Sequence, residues 1–257
     1  MDMLQKYQRV ADAFIEEMKK HPDVEGVMHL GGIARQKADE YSDIDIAVFS
    51  NQKLEWLQTG EQATPEGYDL EVFNIPMDSG FAKWDEIKKE AYQEGVIAFD
   101  RNGKVANFID RALAYPEEYR IAITAELVFA IAWHGWIYTP FRNRTEKNYR
   151  WLLTEKLWYL RGEPNNACYT ARYSLEKYME LLFVINRRWL PDYKWRYIRV
   201  KKLPWLPTNF EEDFDQLMFG EWSEESWGQQ SMRFQRLLDE TIAHIIDYMP
   251  EDWYSLI

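Results

Sequence analysis

Three acidic residues and two glycines carry most of the chemistry legible in this 257-residue sequence. Asp43-Ile44-Asp45 opens an alternating polar and apolar run, and Glu71 lies between Leu70 and Val72 in a later one. On a strand, residues two apart point the same way, which sets the Asp43 and Asp45 carboxylates about 6–7 Å apart along it. Like charges that close raise each other's pKa unless a cation lies between them. A hard divalent ion with oxygen ligands, Mg²⁺ above all, removes that cost. Ahead of the acids, Gly31-Gly32 has no side chains, so backbone N–H groups and the start of a following helix can come close to a phosphate. A metal-holding acid pair beside a phosphate-holding turn describes phosphoryl or nucleotidyl transfer, in which the protein mainly positions groups and neutralises charge. Taken singly, a Gly-Gly turn is commonly only a turn, and an Asp-x-Asp pair commonly two solvated carboxylates. Their order and spacing carry the reading.

The elements that must position these residues follow from pattern. The first twenty residues have apolar positions at helical spacing (Leu4, Tyr7, Val10, Ala11, Phe14, Ile15, Met18) and charges throughout, which predicts a helix and not a secretory leader, and therefore a cytoplasmic protein. Val24–Leu30 is short and apolar and ends at Gly31-Gly32, followed by a polar segment to Ser42: strand, tight turn, short helix. Residues 43–49 form a strand buried at one end and open at the other. Tyr68–Ile75 forms another, with Asp69, Glu71 and Phe73 on one face. Phe81 to Glu94 is helical in pattern, and Gly95–Asp100 is a further strand ending at the Arg101-Asn102-Gly103 turn. From about Tyr115-Pro116 the periodicity becomes helical, in blocks of mostly ~15–25 residues. Breaks fall at Tyr138–Arg142, Gly162–Asn166, Leu190–Tyr193, Leu203–Thr208 and Gly220–Ser223. The expected fold is α+β, with a mixed-sheet domain over residues 1–115 and a helical bundle over 116–257. The cleft between the two is the expected ligand site.

The run Leu30 to Phe49, LGGIARQKADEYSDIDIAVF, resembles the signature of the DNA-polymerase-β-like nucleotidyltransferase superfamily. That signature has a hydrophobic residue, Gly, then Gly or Ser, about ten residues, and Asp-hydrophobic-Asp-hydrophobic. Arg35, Ala38, Ser42, Asp43 and Asp45 are similar to the small bacterial branch that includes antibiotic and minimal nucleotidyltransferases, and with the Glu71 strand the likeness spans roughly residues 24–75. Phe99 to Lys104, Leu182 to Arg187 and Leu190 to Trp195 resemble the helical carboxy-terminal half of that branch, which closes over the nucleotide and holds the acceptor. The resemblance implies that Asp43 and Asp45 bind two Mg²⁺ ions. Glu71 would complete the catalytic metal site and take the proton of the attacking hydroxyl, with Asp69 on the same strand face as its rival. Gly31, Gly32, Arg35 and Lys194 would bind the nucleotide. Two departures stand out: Gly32 where many relatives have Ser, which removes a hydroxyl contact to phosphate, and Gln36 where Gly is common, which bears on the entrance of the short helix.

The implied reaction moves a nucleoside monophosphate, AMP from ATP first, onto a hydroxyl of a small cationic acceptor such as an aminoglycoside-like or lincosamide-like antibiotic, releasing pyrophosphate. Transfer to a protein side chain is the alternative. A third reading is an inactive fold serving as a binding module or antitoxin, against which the intact acids argue. The formal charge of −12, from 31 basic and 43 acidic residues, disfavours a nucleic-acid partner. The apolar stretch Ile121–Tyr138 carries Glu126 and His134, both costly inside a bilayer, so it is expected as a helix with those two polar residues buried and not as a membrane span. The lone Cys168 removes any disulfide framework. Aromatic residues make up 16% of the chain, which points to large aromatic cores. Arg35 is either a phosphate contact or a solvated helical arginine. Lys194, between Tyr193 and Trp195, is either a grip on the triphosphate or an exposed turn lysine. His29 reads as hydrogen-bonded scaffold, and Arg142, Arg144, Lys147 and Arg150 as a solvated face. No zinc spacing, Walker loop or nucleophile elbow is present. The oligomeric state is not set by the sequence.

Overall fold

A computed structural model of the protein describes residues 2–79, 84–138 and 158–250, with residues 79 and 132–138 as backbone alone. The chain divides into two compact units, Met1–Ala114 and Tyr115–Ile257.

The first unit is built on β1 (Val24–His29), β2 (Ile44–Ser50), β3 (Gly60–Ala63), β4 (Asp69–Pro76) and β5 (Val96–Asp100). They form one mixed sheet in the order β3-β4-β2-β1-β5. β2 and β4 run parallel, and the other neighbours pair antiparallel. Four of these strands are the ones the sequence pattern predicts. β3, whose sequence GEQA has no β-branched or aromatic residue, exists by pairing with β4 and not by propensity.

Alternation along the strands sorts side chains to two cores. Ile44, Ile46 and Val48 of β2 join Leu70 and Val72 of β4 against α1 (Met3–Met18). The buried stripe of α1 is Tyr7, Ala11, Ile15 and Met18, and its start is capped by Asp2, whose carboxylate accepts from the Gln5 N–H at 2.8 Å. Ala47, Phe49 and Ile75, on the other face, pack with Tyr92 and with Phe108 and Ile109 of α4 (Lys104–Ala112). Tyr92 belongs to α3 (Glu86–Gln93), which starts at the Asp85 cap, later than the predicted Phe81. Residues 80–83 lie outside the described residues.

The second unit contains α5 (Glu117–Tyr138), α6 (Pro164–Ile185), α7 (Tyr193–Val200), α8 (Phe210–Phe219) and α9 (Trp227–Ile245). Its core gathers Leu175, Tyr178, Phe214, Phe234 and Leu238. The wholly buried Tyr178 hydroxyl is satisfied by the Leu237 carbonyl at 3.0 Å and Thr241 at 2.8 Å. The break at Gly162–Asn166 is displaced, because Pro164 opens α6 instead of preceding it. A proline in the first turn lacks only an N–H that has no helical partner anyway. α7 and α8 have 8 and 10 residues, below the expected block length, since the breaks around them lie close together. Glu126 corrects its expectation: it is exposed, on the solvent stripe of α5 beside buried Ala125, Leu127 and Val128. The side chain of His134 and the cluster Arg142, Arg144, Lys147 and Arg150 lie outside the described residues. No described helix is long and apolar enough to cross a membrane.

Candidate active site

Strand register brings the acids together. In the parallel pair, Asp45 of β2 stands directly beside Glu71 of β4, so their side chains share a face. Asp43, exposed, comes just before β2 on that same face. One carboxylate oxygen from each of Asp43, Asp45 and Glu71 lies within 4.8 Å of the other two, and among the described residues no other group of three acids, histidines or cysteines comes so close. Asp69 occupies the exposed first position of β4, outside that group.

The face these acids occupy continues along β2 and β4 as Ala47, Phe49 and Ile75, which α3 and α4 cover. The charged end therefore borders a dry core, and burial acts on it. Burial, followed by the negative charges of Asp43 and Glu71, pushes the Asp45 carboxyl up to about 7, with Arg35 pulling weakly the other way. Burial and the charges of Asp43 and Glu61 raise Glu71 as well. Glu61 belongs to β3 and is the register partner of Glu71 across β4, which extends the acidic row to a third strand. Three hard oxygen donors, two of them held back from ionising by burial and neighbouring charge, are a fitting donor set for an oxygen-seeking divalent cation.

The glycine turn is part of the same construction. Gly31 has φ +54°, in the left-handed region, and a Cβ there would collide with the Asp45 carboxylate. The Leu30 N–H donates to the Asp45 carbonyl at 3.0 Å, tying the end of β1 to the acid-bearing strand. Gly32 is buried at the start of α2 (Gly31–Ala34), and a Cβ there would meet the Lys37 carbonyl at 3.0 Å and Ala38 at 3.4 Å. The return of the chain at Lys37 leaves a side chain at position 32 little room. Gln36 lies at the exit of α2, not its entrance. It adopts φ 55°, and its side-chain amide donates to the Ile33 carbonyl at 3.0 Å, closing the helix end that glycine would otherwise close.

The segment leading into Asp43 is held by Tyr7, Asp39 and Ser42, in hydrogen bonds that the sequence did not show. The Tyr7 hydroxyl reaches the Ser42 carbonyl at 2.9 Å and the Asp39 carbonyl at 3.3 Å. The Ser42 hydroxyl donates to Asp39 at 3.0 Å, and the Asp39 carboxylate also takes the Tyr41 N–H at 3.0 Å. Tyr7 packs edge-on against Tyr68, the residue before β4, at 5.1 Å. His29 is buried in β1 with one ring nitrogen 3.4 Å from the Gln8 amide, and burial lowers its pKa, which makes it a neutral scaffold residue. Arg35 is half-buried at the end of α2. Lys194 belongs to the second unit, exposed in the first turn of α7, and its backbone N–H is capped by Asp192 at 3.2 Å.

The nucleotidyltransferase domain family matches residues 11–101, from within α1 through β5. Residues 11–101 are thus matched as a nucleotidyltransferase domain. The acid triad and the glycine turn both fall within the matched span, and such a domain takes a nucleotide as substrate. Among solved structures, a nucleotidyltransferase-like protein from Exiguobacterium sibiricum 255-15 is 12% identical, with 95% of this chain and 76% of that one covered and a TM-score of 0.44. No curated protein matches the chain.

Proposed function

We propose that this nucleotidyltransferase domain transfers a nucleoside monophosphate, AMP from ATP first, onto a hydroxyl of a small cationic molecule and releases pyrophosphate. The observation that carries the reading is the set of three carboxylates brought within 4.8 Å by the β2–β4 register, with Asp45 raised by burial and the charges of Asp43 and Glu71, and Glu71 raised by burial and the charges of Asp43 and Glu61. Asp43, Asp45 and Glu71 are the residues that would hold Mg²⁺, two ions in the full reading, and the metal would neutralise the triphosphate and polarise the phosphorus under attack. Gly31 and Gly32 would offer backbone N–H groups to phosphate oxygens, and Arg35 and Lys194 are the cations proposed to contact the nucleotide. Glu71 takes the proton of the acceptor hydroxyl as its oxygen bonds to the α-phosphorus and the bond from that phosphorus to the β-phosphate's bridging oxygen breaks. Asp69 remains the competing base.

The cationic acceptor rests on charge. Beyond the triad the same sheet end exposes Asp69 and Glu61, and the chain as a whole carries −12. A positively charged, hydroxyl-rich molecule is attracted to such a surface, and an oligonucleotide is repelled. The test is incubation with each labelled nucleoside triphosphate, Mg²⁺ and a pooled set of aminoglycosides, lincosamides, oligonucleotides and proteins, scoring pyrophosphate. Release with an amine-bearing small molecule is expected. Labelling of a protein or an oligonucleotide in preference would replace the acceptor class, and no Mg²⁺-dependent binding of any nucleotide would overturn the reading.

A further inference from the structure

Tyr41 is 90% exposed, the most exposed of the large apolar side chains among the described residues. Its backbone is nevertheless held firmly. The turn that carries it is closed by the Asp39 carboxylate on the Tyr41 N–H, by the Ser42 hydroxyl on Asp39, and by the Ser42 N–H on the Asp39 carbonyl at 3.1 Å. Tyr7, a core residue of α1 only 3% exposed, turns its hydroxyl to the carbonyls at both ends of this turn. A tyrosine ring that contributes nothing to the core is thus presented on a fixed base two residues before Asp43. We propose that Tyr41 is a stacking platform for a ring of the acceptor, sugar or aromatic, and so helps choose which acceptors are used.

The side of the site decides between acceptor and nucleotide. β2 has two neighbours: β1, which ends in the glycine turn assigned to the triphosphate, and β4, which carries Glu71, the base assigned to the acceptor hydroxyl. Tyr7 joins the Tyr41 turn to Tyr68, the residue leading into β4, and this link favours the acceptor. Asp39, Asp43 and Asp69, all exposed, act on the Tyr7 hydroxyl that holds the turn, and such acids suit a ring bearing amines and hydroxyls. Stacking of such a ring on a fixed phenol gives orientation at small entropic cost, because the platform is already ordered before binding.

The inference rests on the nucleotidyl-transfer reading, and the experiment separates the two. Wild type, Tyr41→Phe and Tyr41→Ala are compared for melting temperature, for Kd of Mg²⁺ with a non-hydrolysable ATP analogue, and for binding and turnover of kanamycin, streptomycin and lincomycin. Tyr41→Ala is expected to raise KM, or Kd where binding occurs without turnover, about tenfold for the ring compound that the wild type takes. Tyr41→Phe should stay within about twofold, since the ring face is kept. Nucleotide affinity and melting temperature should be unchanged in both. Four results overturn the proposal: unchanged acceptor affinity in Tyr41→Ala, a loss of nucleotide affinity, a lowered melting temperature that marks a packing role, or no ring compound binding to a wild type that does bind Mg²⁺ and nucleotide. A wild type that binds no nucleotide removes the function itself and this inference with it.

Discussion

The two ends of one sheet face make the sharpest contrast in the first unit. Along β2 the same face presents Asp45, then Ala47, then Phe49. Along β4 it presents Glu71, then Phe73 and Ile75. At the far end Phe49 packs edge-on to Tyr92 and Phe108, at 6.2 and 6.1 Å, with Trp84 stacked on Tyr92 at 4.4 Å. At the near end stand the acids, two of which carry raised pKa values. Stability is concentrated where the rings interlock, and reactivity where the same alternation places carboxylates that repel. A few residues of strand separate the two regimes, so substitutions at each end should separate cleanly in their effects.

The largest effect is expected for chemistry without stability. Glu71→Gln keeps shape and removes charge, so kcat should fall by about a hundredfold or more with the nucleotide still bound, and steady-state kinetics beside calorimetric nucleotide titration will check this. Asp69→Asn should be milder, and the reverse ranking would move the base to Asp69. The opposite dissociation is expected at the far end. Phe108→Ala should cost about 3–5 kcal/mol in denaturant unfolding while the melting shift produced by Mg²⁺ and nucleotide survives. A variant that loses both would mean that the two ends form one cooperative site.

Protonation sharpens the contrast further. The unfolded chain ionises Asp45 near its ordinary value of 3.8, the folded chain only near about 7. Between those values the folded state holds the extra proton, so the metal-free protein should lose stability as pH rises from about 4 to about 7, with Glu71 adding in the same sense. Asp45→Asn should flatten that dependence and abolish the melting shift caused by Mg²⁺ with nucleotide. Melting curves at several pH values, with chelator and with Mg²⁺, test both points, and an equal Mg²⁺ shift in the variant would remove these acids from the metal site. The smallest effect belongs to Gln36, a non-glycine in the left-handed region. Gln36→Gly should change stability by less than about 1 kcal/mol, since backbone relief is offset by loss of the bond to the Ile33 carbonyl.

The near end was legible because its signals are local: a glycine turn, an Asp-x-Asp step and an acid between two apolar residues on a later strand. What the sequence did not reveal depends on pairing between distant segments. β3 carries no strand propensity and appears only when laid against β4, and with it comes Glu61 opposite Glu71. α4, nine residues long, buries Val105, Phe108, Ile109 and Ala112, yet is too short for its period to stand out. Tyr7 looks in the sequence like one more apolar position on α1. Its hydroxyl acquires a purpose only when the fold brings Asp39 and Ser42 above it. Glu126 misled because a mostly apolar helix was taken to be buried on all sides, whereas α5 keeps a solvent-facing stripe.

The collision that a Cβ on Gly31 would make with the Asp45 carboxylate also bears on how such a site decays over evolutionary time. While Asp45 is present, Gly31 is held by two constraints, the left-handed backbone and the carboxylate beside it. Once the acid shrinks to alanine, only the backbone constraint remains, and asparagine or aspartate can tolerate that. The two positions are therefore epistatic in a fixed order: loss of the acid unlocks the glycine, whereas loss of the glycine first displaces an acid that is still needed. In descendants that have abandoned catalysis, Asp45 should be found changed before the turn, and a lineage that keeps glycine opposite a missing acid should have lost its activity more recently than one that has replaced both.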